Sequence, residues 1–380
     1  MTIQQRLDKQ GPRKLLAIDG GGIRGVLALG VLEKIEQDLR DQSGRRDLVL
    51  ADYFDYIAGT STGGVIAAGL AVGRTVEDVL RFYQESGSDM FKEANLFQRV
   101  TRHKYEDEPL ARKLREVLGA DTTLESPAVR TLLMLMLRNV TTDSPWPISN
   151  NPYARYNDPD HGGCNLKLPL WQLVRASTAA PTYFPPEVID VGDQQFVFVD
   201  GGVTMYNNPA FQLFLMATVE RYWQNAPDGI TRGWETGPDR MLLVSVGTGT
   251  SPSLRAGLDP NAMHLLFNAT SIPGALMFAA LNEQDFLCRV FGDCLVGDPL
   301  DREVGDMIGR GGPHIPKLFT YARYNTELTQ AGLEALGCGD VRPEDVQKLD
   351  AVDAVPALLR VGRAVAEHKV RAEHFRGFPT

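Results

Sequence analysis

Residues 54–64 read FDYIAGTSTGG, a short apolar run that ends in a turn of glycine, serine and threonine. The following six residues, VIAAGL, are small and apolar, as in a helix that packs closely on a sheet. This order predicts a buried strand at Phe54–Ala58, a tight turn at Gly59–Gly64 and a helix at Val65–Leu70. A strand, a turn and a helix in this order are the basic unit of an α/β fold.

The same unit occurs at the start of the chain, where an apolar run at Leu15–Ile18 ends in glycines and a helical pattern covers Val26–Leu39. Further predicted strands are Thr131–Leu137, Phe196–Val199 and Met241–Val246, and the helical patterns between them are Val76–Gln84, Pro109–Leu118 and Ala210–Tyr222. Alternation of this kind predicts an α/β sandwich with a mostly parallel central sheet.

Three later segments complete the predicted organisation. Residues 141–165 are rich in Pro, Asn, Asp and Gly, which predicts a long surface loop. Ile272–Ala280 is apolar at helical spacing, a pattern more typical of core than of a lipid-facing cap. Ala354–His374 is predicted to be a terminal helix, so the C-terminal region is a helical extension of the sandwich.

Composition excludes several classes of protein. The chain has 380 residues, 43% of them hydrophobic and 23% charged, as in a globular protein. A net charge of −9 without a basic stripe argues against a nucleic-acid partner. The four cysteines form no CxxC pair, so we expect neither disulfides nor a metal site. We see no signal peptide or membrane-spanning run and expect a cytoplasmic protein.

Ser61 is the candidate nucleophile. It lies in a GxSxG pattern with Gly59 and Gly63, between a predicted strand and a predicted helix, and this context gives the short pattern chemical meaning. The sharp turn strains the serine backbone and points its hydroxyl to the N-terminus of a helix, where the dipole favours negative charge. The alternative is a Gly/Ser-rich turn without chemistry.

A second glycine-rich turn, residues 20–25, follows the first predicted strand. It matches GxGxxG, but the second strand ends in the GxSxG turn and not in the acidic residue that a dinucleotide-binding fold needs. Backbone N–H groups in this turn are better suited to an oxyanion hole for a serine attack. The candidate residues are Gly20, Gly21, Gly22, Ile23, Arg24 and Gly25. Arg24 either reinforces this charge or pins the loop by an ion pair.

The candidate base is Asp200, which with Gly201 and Gly202 ends a predicted strand. A carboxylate at that edge of a sheet can reach the crevice that contains Ser61. A histidine base is the alternative, as in serine hydrolases with a Ser-His-Asp triad. The histidines downstream of Ser61 in suitable order are His264, His314, His368 and His374, and we expect all four to be surface or structural.

Four segments in this order resemble the patatin-like phospholipases. They are residues 19–25 (DGGGIRG), 59–64 (GTSTGG), 176–184 (ASTAAPTYF) and 200–202 (DGG). The resemblance implies a three-layer sandwich, a Ser61–Asp200 dyad and hydrolysis of fatty acyl esters of lipids at a membrane surface, without metal or other cofactor. It also implies that Ala176–Phe184 is a scaffold and that residues 15–212 are the catalytic domain. From the sequence pattern we expect residues 213–380 to continue the sandwich and to add a helical C-terminal region with a regulatory role.

Two tail segments, Phe319–Asn325 and Leu349–Phe375, are similar to the bacterial CapV-type effectors of anti-phage signalling. That similarity implies activation by a cyclic di- or trinucleotide and a homo-oligomeric assembly. The alternatives are a constitutive lipase or esterase of lipid turnover and, in a different class, a nucleotide-binding protein that uses the GxGxxG turn.

Overall fold

A computed structural model of the chain describes residues 1–91, 109–160, 162–181, 183–251, 265–309, 312 and 316–380. The strands are β1 Arg13–Ile18, β2 Tyr56–Thr60, β3 Leu132–Asn139, β4 Ser144–Ser149, β5 Glu187–Val191, β6 Gln194–Asp200, β7 Met241–Val246, β8 Asp293–Val296 and β9 Thr320–Tyr324. The α-helices are α1 Ile3–Asp8, α2 Gly25–Ser43, α3 Leu50–Tyr53, α4 Thr62–Ala71, α5 Val76–Phe91, α6 Pro109–Leu118, α7 Leu170–Ser177, α8 Ala210–Thr218, α9 Leu265–Phe291, α10 Gln330–Ala335, α11 Pro343–Val346 and α12 Val355–Lys369.

The strands form one sheet in the order β5-β6-β3-β2-β1-β7-β9-β8, and β4 pairs with β3. From β3 to β8 every neighbouring pair is parallel, whereas β4 and β6 run antiparallel to β3. The predicted fold class, α/β with a mostly parallel sheet, is therefore confirmed. The strands that follow residue 213 extend the same sheet, while the division of the chain at residue 212 stays a prediction.

Helices cover both faces of the sheet. Leu16 and Ile18 of β1 point into a cluster with apolar side chains of α2, α4, α5, α7 and α12. Leu15 and Ala17 point to the opposite face, into a second cluster that includes α8. Since successive strand residues alternate in direction, a strand buried on both faces is apolar throughout. This explains why β1, β2 and β7 are visible in the sequence as continuous apolar runs.

The C-terminal helix α12 packs directly on α2, through glycines. A Cβ atom at Gly362 would lie 2.2 Å from the carbonyl oxygen of Leu27, and one at Gly30 would lie 2.9 Å from the backbone nitrogen of Arg363. Such close approach is possible only without side chains at both crossing positions. The helix ends at Lys369 and a short 3₁₀ turn covers Ala372–Phe375, so the predicted continuous helix to His374 is too long.

Two further predictions are wrong. The predicted loop at 141–165 contains the strand β4, which pairs with β3 despite Pro145 and Pro147, because an edge strand tolerates missing N–H donors. The predicted core helix at Ile272–Ala280 lies in α9, and of the side chains described there Leu276 is 65% exposed. Among the described residues, we find no helix that is long and apolar enough to cross a bilayer.

Candidate active site

Ser61 lies between β2 and α4, and the turn is shorter than the sequence predicts, since β2 ends at Thr60 and α4 begins at Thr62. Its backbone has φ 56° and ψ −124°, a conformation that side chains rarely adopt. The two flanking glycines make it possible. A Cβ atom at Gly59 would lie 2.0 Å from the carbonyl oxygen of Gly63, and one at Gly63 would lie 2.3 Å from that of Ile18.

The register of β3 brings Asp200 to this turn. Thr60, the last residue of β2, pairs with Met136, and Asp200, the last residue of β6, pairs with the next residue, Leu137. Ser61 Oγ donates a hydrogen bond to Asp200 Oδ2 at 2.6 Å. The two predicted residues, 139 positions apart in sequence, are thus in direct contact.

Asp200 is 4% exposed, and its carboxylate accepts two hydrogen bonds. The Gly202 N–H donates to Oδ1 at 2.6 Å, and Ser61 donates to Oδ2. Burial raises the pKa of Asp200 from its ordinary value of 3.8 to about 6, although both hydrogen bonds favour the charged form. A carboxylate with a raised pKa is a stronger base than an exposed one, which suits proton transfer from a hydroxyl group.

The glycines after Asp200 are also explained by close contacts. A Cβ atom at Gly201 would lie 2.3 Å from the carbonyl oxygen of Met136, so only glycine allows the chain to turn here against β3. Gly202 contributes the N–H that holds Oδ1 of Asp200. Each residue of the predicted DGG segment therefore has its own role: Asp200 supplies the carboxylate, Gly201 allows the close contact with β3, and Gly202 donates a hydrogen bond to the carboxylate.

Ser177, at the end of α7, supports the nucleophile from the other side. Its Oγ accepts a hydrogen bond from the Ser61 N–H at 3.0 Å and donates to the carbonyl oxygen of Met136 at 2.7 Å. The side chain is fully buried. This contact fits the predicted scaffold role of residues 176–184, of which Thr182 lies outside the described residues. The sequence contained no signal for this specific hydrogen bond.

The glycine-rich turn lies against the nucleophile, since a Cβ atom at Gly20 would lie 3.3 Å from Cβ of Ser61. Four of the six predicted oxyanion residues use their N–H groups within the protein. Gly20 donates to Asn207, Ile23 to Leu349, Arg24 to Gly21, and Gly25 to Gly22 and Ile23. Among the described contacts, the N–H groups of Gly21 and Gly22 have no acceptor. These two are free to hold an oxyanion.

Arg24 belongs to this turn, and its guanidinium forms no ion pair with a carboxylate of the described residues. Its guanidinium donates weakly to the Gly21 carbonyl oxygen and to Ser251 Oγ, both at 3.4 Å. Burial lowers the pKa of Arg24 to about 10, so the group stays charged at neutral pH. Between the two predicted roles, the contacts favour a positive charge near the oxyanion turn over an ion pair that pins the loop.

Neither of the two downstream histidines that the structure describes contacts Ser61. His368 is exposed on α12 and its Nδ1 contacts the carbonyl oxygen of Ala364. His374 is hydrogen-bonded to the Tyr324 hydroxyl at 2.9 Å. The other two predicted candidates, at positions 264 and 314, lie outside the described residues. In the described part of the chain, no cluster of three or more His, Cys, Asp or Glu side chains could hold a metal ion.

Comparison with known proteins extends this picture. Residues 16–214 match the family model described as Patatin-like phospholipase. The chain is 29% identical to Patatin-like protein 1 of Arabidopsis thaliana over 325 residues, and the alignment covers 75% of each protein. It is 31% identical to Patatin-17 of Solanum cardiophyllum, over 62% of this chain and 60% of that one.

A bacterial relative is similarly close. The chain is 31% identical over 204 residues to a cGAMP-activated phospholipase of Escherichia coli (strain TW11681), over 52% of this chain and 54% of the relative. The aligned part thus spans less than two thirds of both the Solanum and the Escherichia coli proteins.

Proposed function

This chain belongs to the patatin-like phospholipase family, as its four motifs predict, and we propose that it hydrolyses fatty acyl esters of lipids with Ser61 as nucleophile and Asp200 as base. The observation that supports this best is the 2.6 Å hydrogen bond from Ser61 Oγ to the buried Asp200 carboxylate. A nucleophile within hydrogen-bonding distance of a base is the arrangement that serine hydrolysis requires.

The acylation step follows from these contacts. Asp200 Oδ2 takes the hydroxyl proton while Ser61 Oγ attacks the ester carbonyl carbon, and the carbonyl oxygen becomes negatively charged. The N–H groups of Gly21 and Gly22 hold this oxyanion. The intermediate then collapses, the bond to the alcohol oxygen breaks, and that oxygen takes the proton back from Asp200. The products are a free alcohol, such as a lysophospholipid, and an acyl-Ser61 ester.

Deacylation repeats this sequence with water as the nucleophile and Ser61 as the leaving group. Asp200 takes a proton from a water molecule, whose oxygen attacks the acyl carbon of the ester. The second oxyanion occupies the same pair of N–H groups. When it collapses, Ser61 Oγ leaves and recovers its proton from Asp200, and the fatty acid is released. No step needs a metal ion or an organic cofactor, so we expect the activity to survive treatment with a chelator.

Covalent labelling with a fluorophosphonate probe tests the nucleophile. We expect the parent protein to be labelled and the Ser61→Ala variant to be unlabelled, with hydrolysis of a phospholipid substrate lost in parallel. A folded parent that neither reacts with the probe nor cleaves lipid would contradict the proposal. The nucleotide-binding alternative makes the opposite prediction, namely NAD(H) binding that is indifferent to Ser61→Ala.

We also propose that a cyclic di- or trinucleotide activates the hydrolase in anti-phage defence. The support is the similarity to a cGAMP-activated phospholipase, together with the two tail segments of CapV type. The test measures lipid hydrolysis and oligomer size with and without a panel of cyclic nucleotides. Hydrolysis that is equally fast without any of them would favour a constitutive lipase.

We also propose that the protein is cytoplasmic and acts on its lipid substrate at the membrane surface. The support is the exposed apolar part of α9, where Ala275 and Leu276 are exposed and Phe278 is half-buried. We expect Leu276→Asp to weaken flotation with anionic phospholipid vesicles. Ile230→Asp, at another exposed apolar position, is the matched control and should not change it. Equal binding by both variants and the parent would exclude this part of α9 as a membrane contact.

A further inference from the structure

The two free N–H groups of the oxyanion turn belong to consecutive peptide units. In each unit, the carbonyl oxygen on the opposite side is held by a hydrogen bond. Thr248 Oγ donates to the carbonyl oxygen of Gly20 at 2.7 Å, and the Arg24 N–H donates to that of Gly21 at 3.2 Å. A trans peptide is planar with its C=O and N–H pointing in opposite directions, so a fixed carbonyl fixes the direction of the N–H.

Thr248 is the more informative of these two donors, because it lies outside the residues that match the family model. Its side chain is 2% exposed. A Cβ atom at position 21 would lie 2.2 Å from Thr248 Oγ, so the hydroxyl packs directly on the backbone of Gly21. Among the described contacts, Thr248 bonds neither to Ser61 nor to Asp200, and its hydroxyl donates to the glycine turn.

The loop that carries Thr248 is itself held by the strand β9. The N–H of Gly249 donates to Asn325 Oδ1 at 3.0 Å, and the N–H of Gly247 donates to the carbonyl oxygen of Tyr324 at 2.8 Å. A Cβ atom at Gly247 would lie 2.1 Å from Asn325 Oδ1, which leaves the loop little freedom. The end of β9 thus determines where the hydroxyl of Thr248 lies.

The same strand holds the residue before the glycines. Arg323 donates to both carboxylate oxygens of Asp19, at 2.9 and 2.6 Å, and both side chains are almost completely buried. Arg323 also donates to Ser245 Oγ of β7 at 2.7 Å. A bidentate pair in a buried setting is geometrically rigid. Asp19, Gly20 and the peptide of Gly21 are therefore fixed from β7, β9 and the loop between β7 and α9.

We propose that Thr248 is a positioning residue of the oxyanion turn: its hydrogen bond to the Gly20 carbonyl directs the Gly21 N–H at the reacting carbonyl oxygen. This inference rests on the proposed serine hydrolase function. It assigns a role in the reaction to residues beyond position 214, and it gives the Phe319–Asn325 segment a physical function as the support of that donor. The hydrogen bond also polarises the peptide and strengthens its N–H as a donor.

Two substitutions separate the hydroxyl from the shape of the side chain. Thr248→Val keeps the shape and removes the donor, and Thr248→Ser keeps the donor and removes a methyl group. Loss of an entire oxyanion donor lowers kcat about 10²–10³-fold. A donor that is present but less well directed should cost less, so we expect kcat of Thr248→Val to fall about tenfold with KM unchanged. Thr248→Ser keeps the hydroxyl donor and should have the kcat of the parent.

A pair of substrates makes the test independent of the folded fraction. Sulfur accepts hydrogen bonds weakly, so an acyl ester and its thionoester differ in how much they gain from the oxyanion donors. We expect the ratio of kcat/KM for ester over thionoester to fall about tenfold in Thr248→Val and to stay at the parent value in Thr248→Ser. If Thr248→Val does not fold, Thr248→Ala removes the same donor.

The outcomes distinguish the two proposals. An active parent with the same ester-to-thionoester ratio in Thr248→Val, or a ratio that falls equally in Thr248→Ser, would overturn the positioning role and leave the proposed function intact. A parent that cleaves neither ester and is not labelled by fluorophosphonate would remove the proposed function, and the positioning role with it.

Discussion

Replacing Asp200 by Asn should strongly lower the activity and at the same time stabilise the fold. The amide has the shape of the carboxylate, so it can still accept from Gly202 N–H and contact Ser61. It cannot accept the serine proton. Since general base catalysis contributes about 10²–10⁴-fold, we expect kcat of Asp200→Asn to fall by about that factor.

The stability gain follows from the pKa. Burial raises the pKa of Asp200 from 3.8 to about 6, so the folded protein holds the proton more tightly than the unfolded chain does. The neutral form stabilises the fold fully below pH 3.8, and this contribution is lost as the pH rises to about 6. The difference corresponds to about 3 kcal/mol. Asp200→Asn should therefore be more stable than the parent by up to about 3 kcal/mol at pH 8, and equally stable near pH 3.5.

The assays are initial rates from pH 4.5 to 8 and urea unfolding at pH 3.5 and pH 8. In the parent, kcat/KM should fall tenfold per pH unit below about 6 and be constant above pH 7, because only the charged carboxylate accepts a proton. A parent rate that is independent of pH from 4.5 to 8 would refute the assignment of Asp200 as base. So would an Asp200→Asn variant with activity close to that of the parent.

Three more substitutions test the surroundings of the site by urea unfolding. Ser61→Gly should be more stable than Ser61→Ala by about 1–3 kcal/mol, because glycine adopts a φ of 56° without strain. Equal stability of the two variants would mean that the turn is unstrained. Ser177→Ala removes hydrogen bonds to two backbone groups and should destabilise the fold by about 1–3 kcal/mol. It should also lower kcat. Unchanged kinetics would mean that Ser177 contributes only to packing. Gly362→Ala should lower the free energy of unfolding by about 1–3 kcal/mol, because the added methyl group clashes with the carbonyl oxygen of Leu27. The control Gly274→Ala has open space around it and should not destabilise the fold. Similar effects of the two substitutions would contradict the glycine contact between α2 and α12.

The elements that the sequence predicts well are those whose pattern is local. The strand β7 and the helix α6 are predicted with the bounds that the structure has, because a buried parallel strand is an apolar run and an amphipathic helix repeats every 3.6 residues. The sequence predicts a loop in place of the edge strand β4, since Pro145 and Pro147 are more typical of loops than of strands. The apolar pattern at Ile272–Ala280 predicts core although part of α9 is exposed, because such a pattern does not show which of its side chains are covered.

At the candidate site, the sequence alone determined that Ser61 lies on a tight strand-to-helix turn, since glycines at 59 and 63 are needed wherever the chain bends so sharply. Only the tertiary structure decided which side chain meets it. Asp200 reaches Ser61 through the register of β3, and the choice of Gly21 and Gly22 among six oxyanion candidates depends on which N–H groups are already bonded. Pairing between distant strands and the use of each donor are properties of contacts between segments far apart in the chain, and local patterns do not encode them.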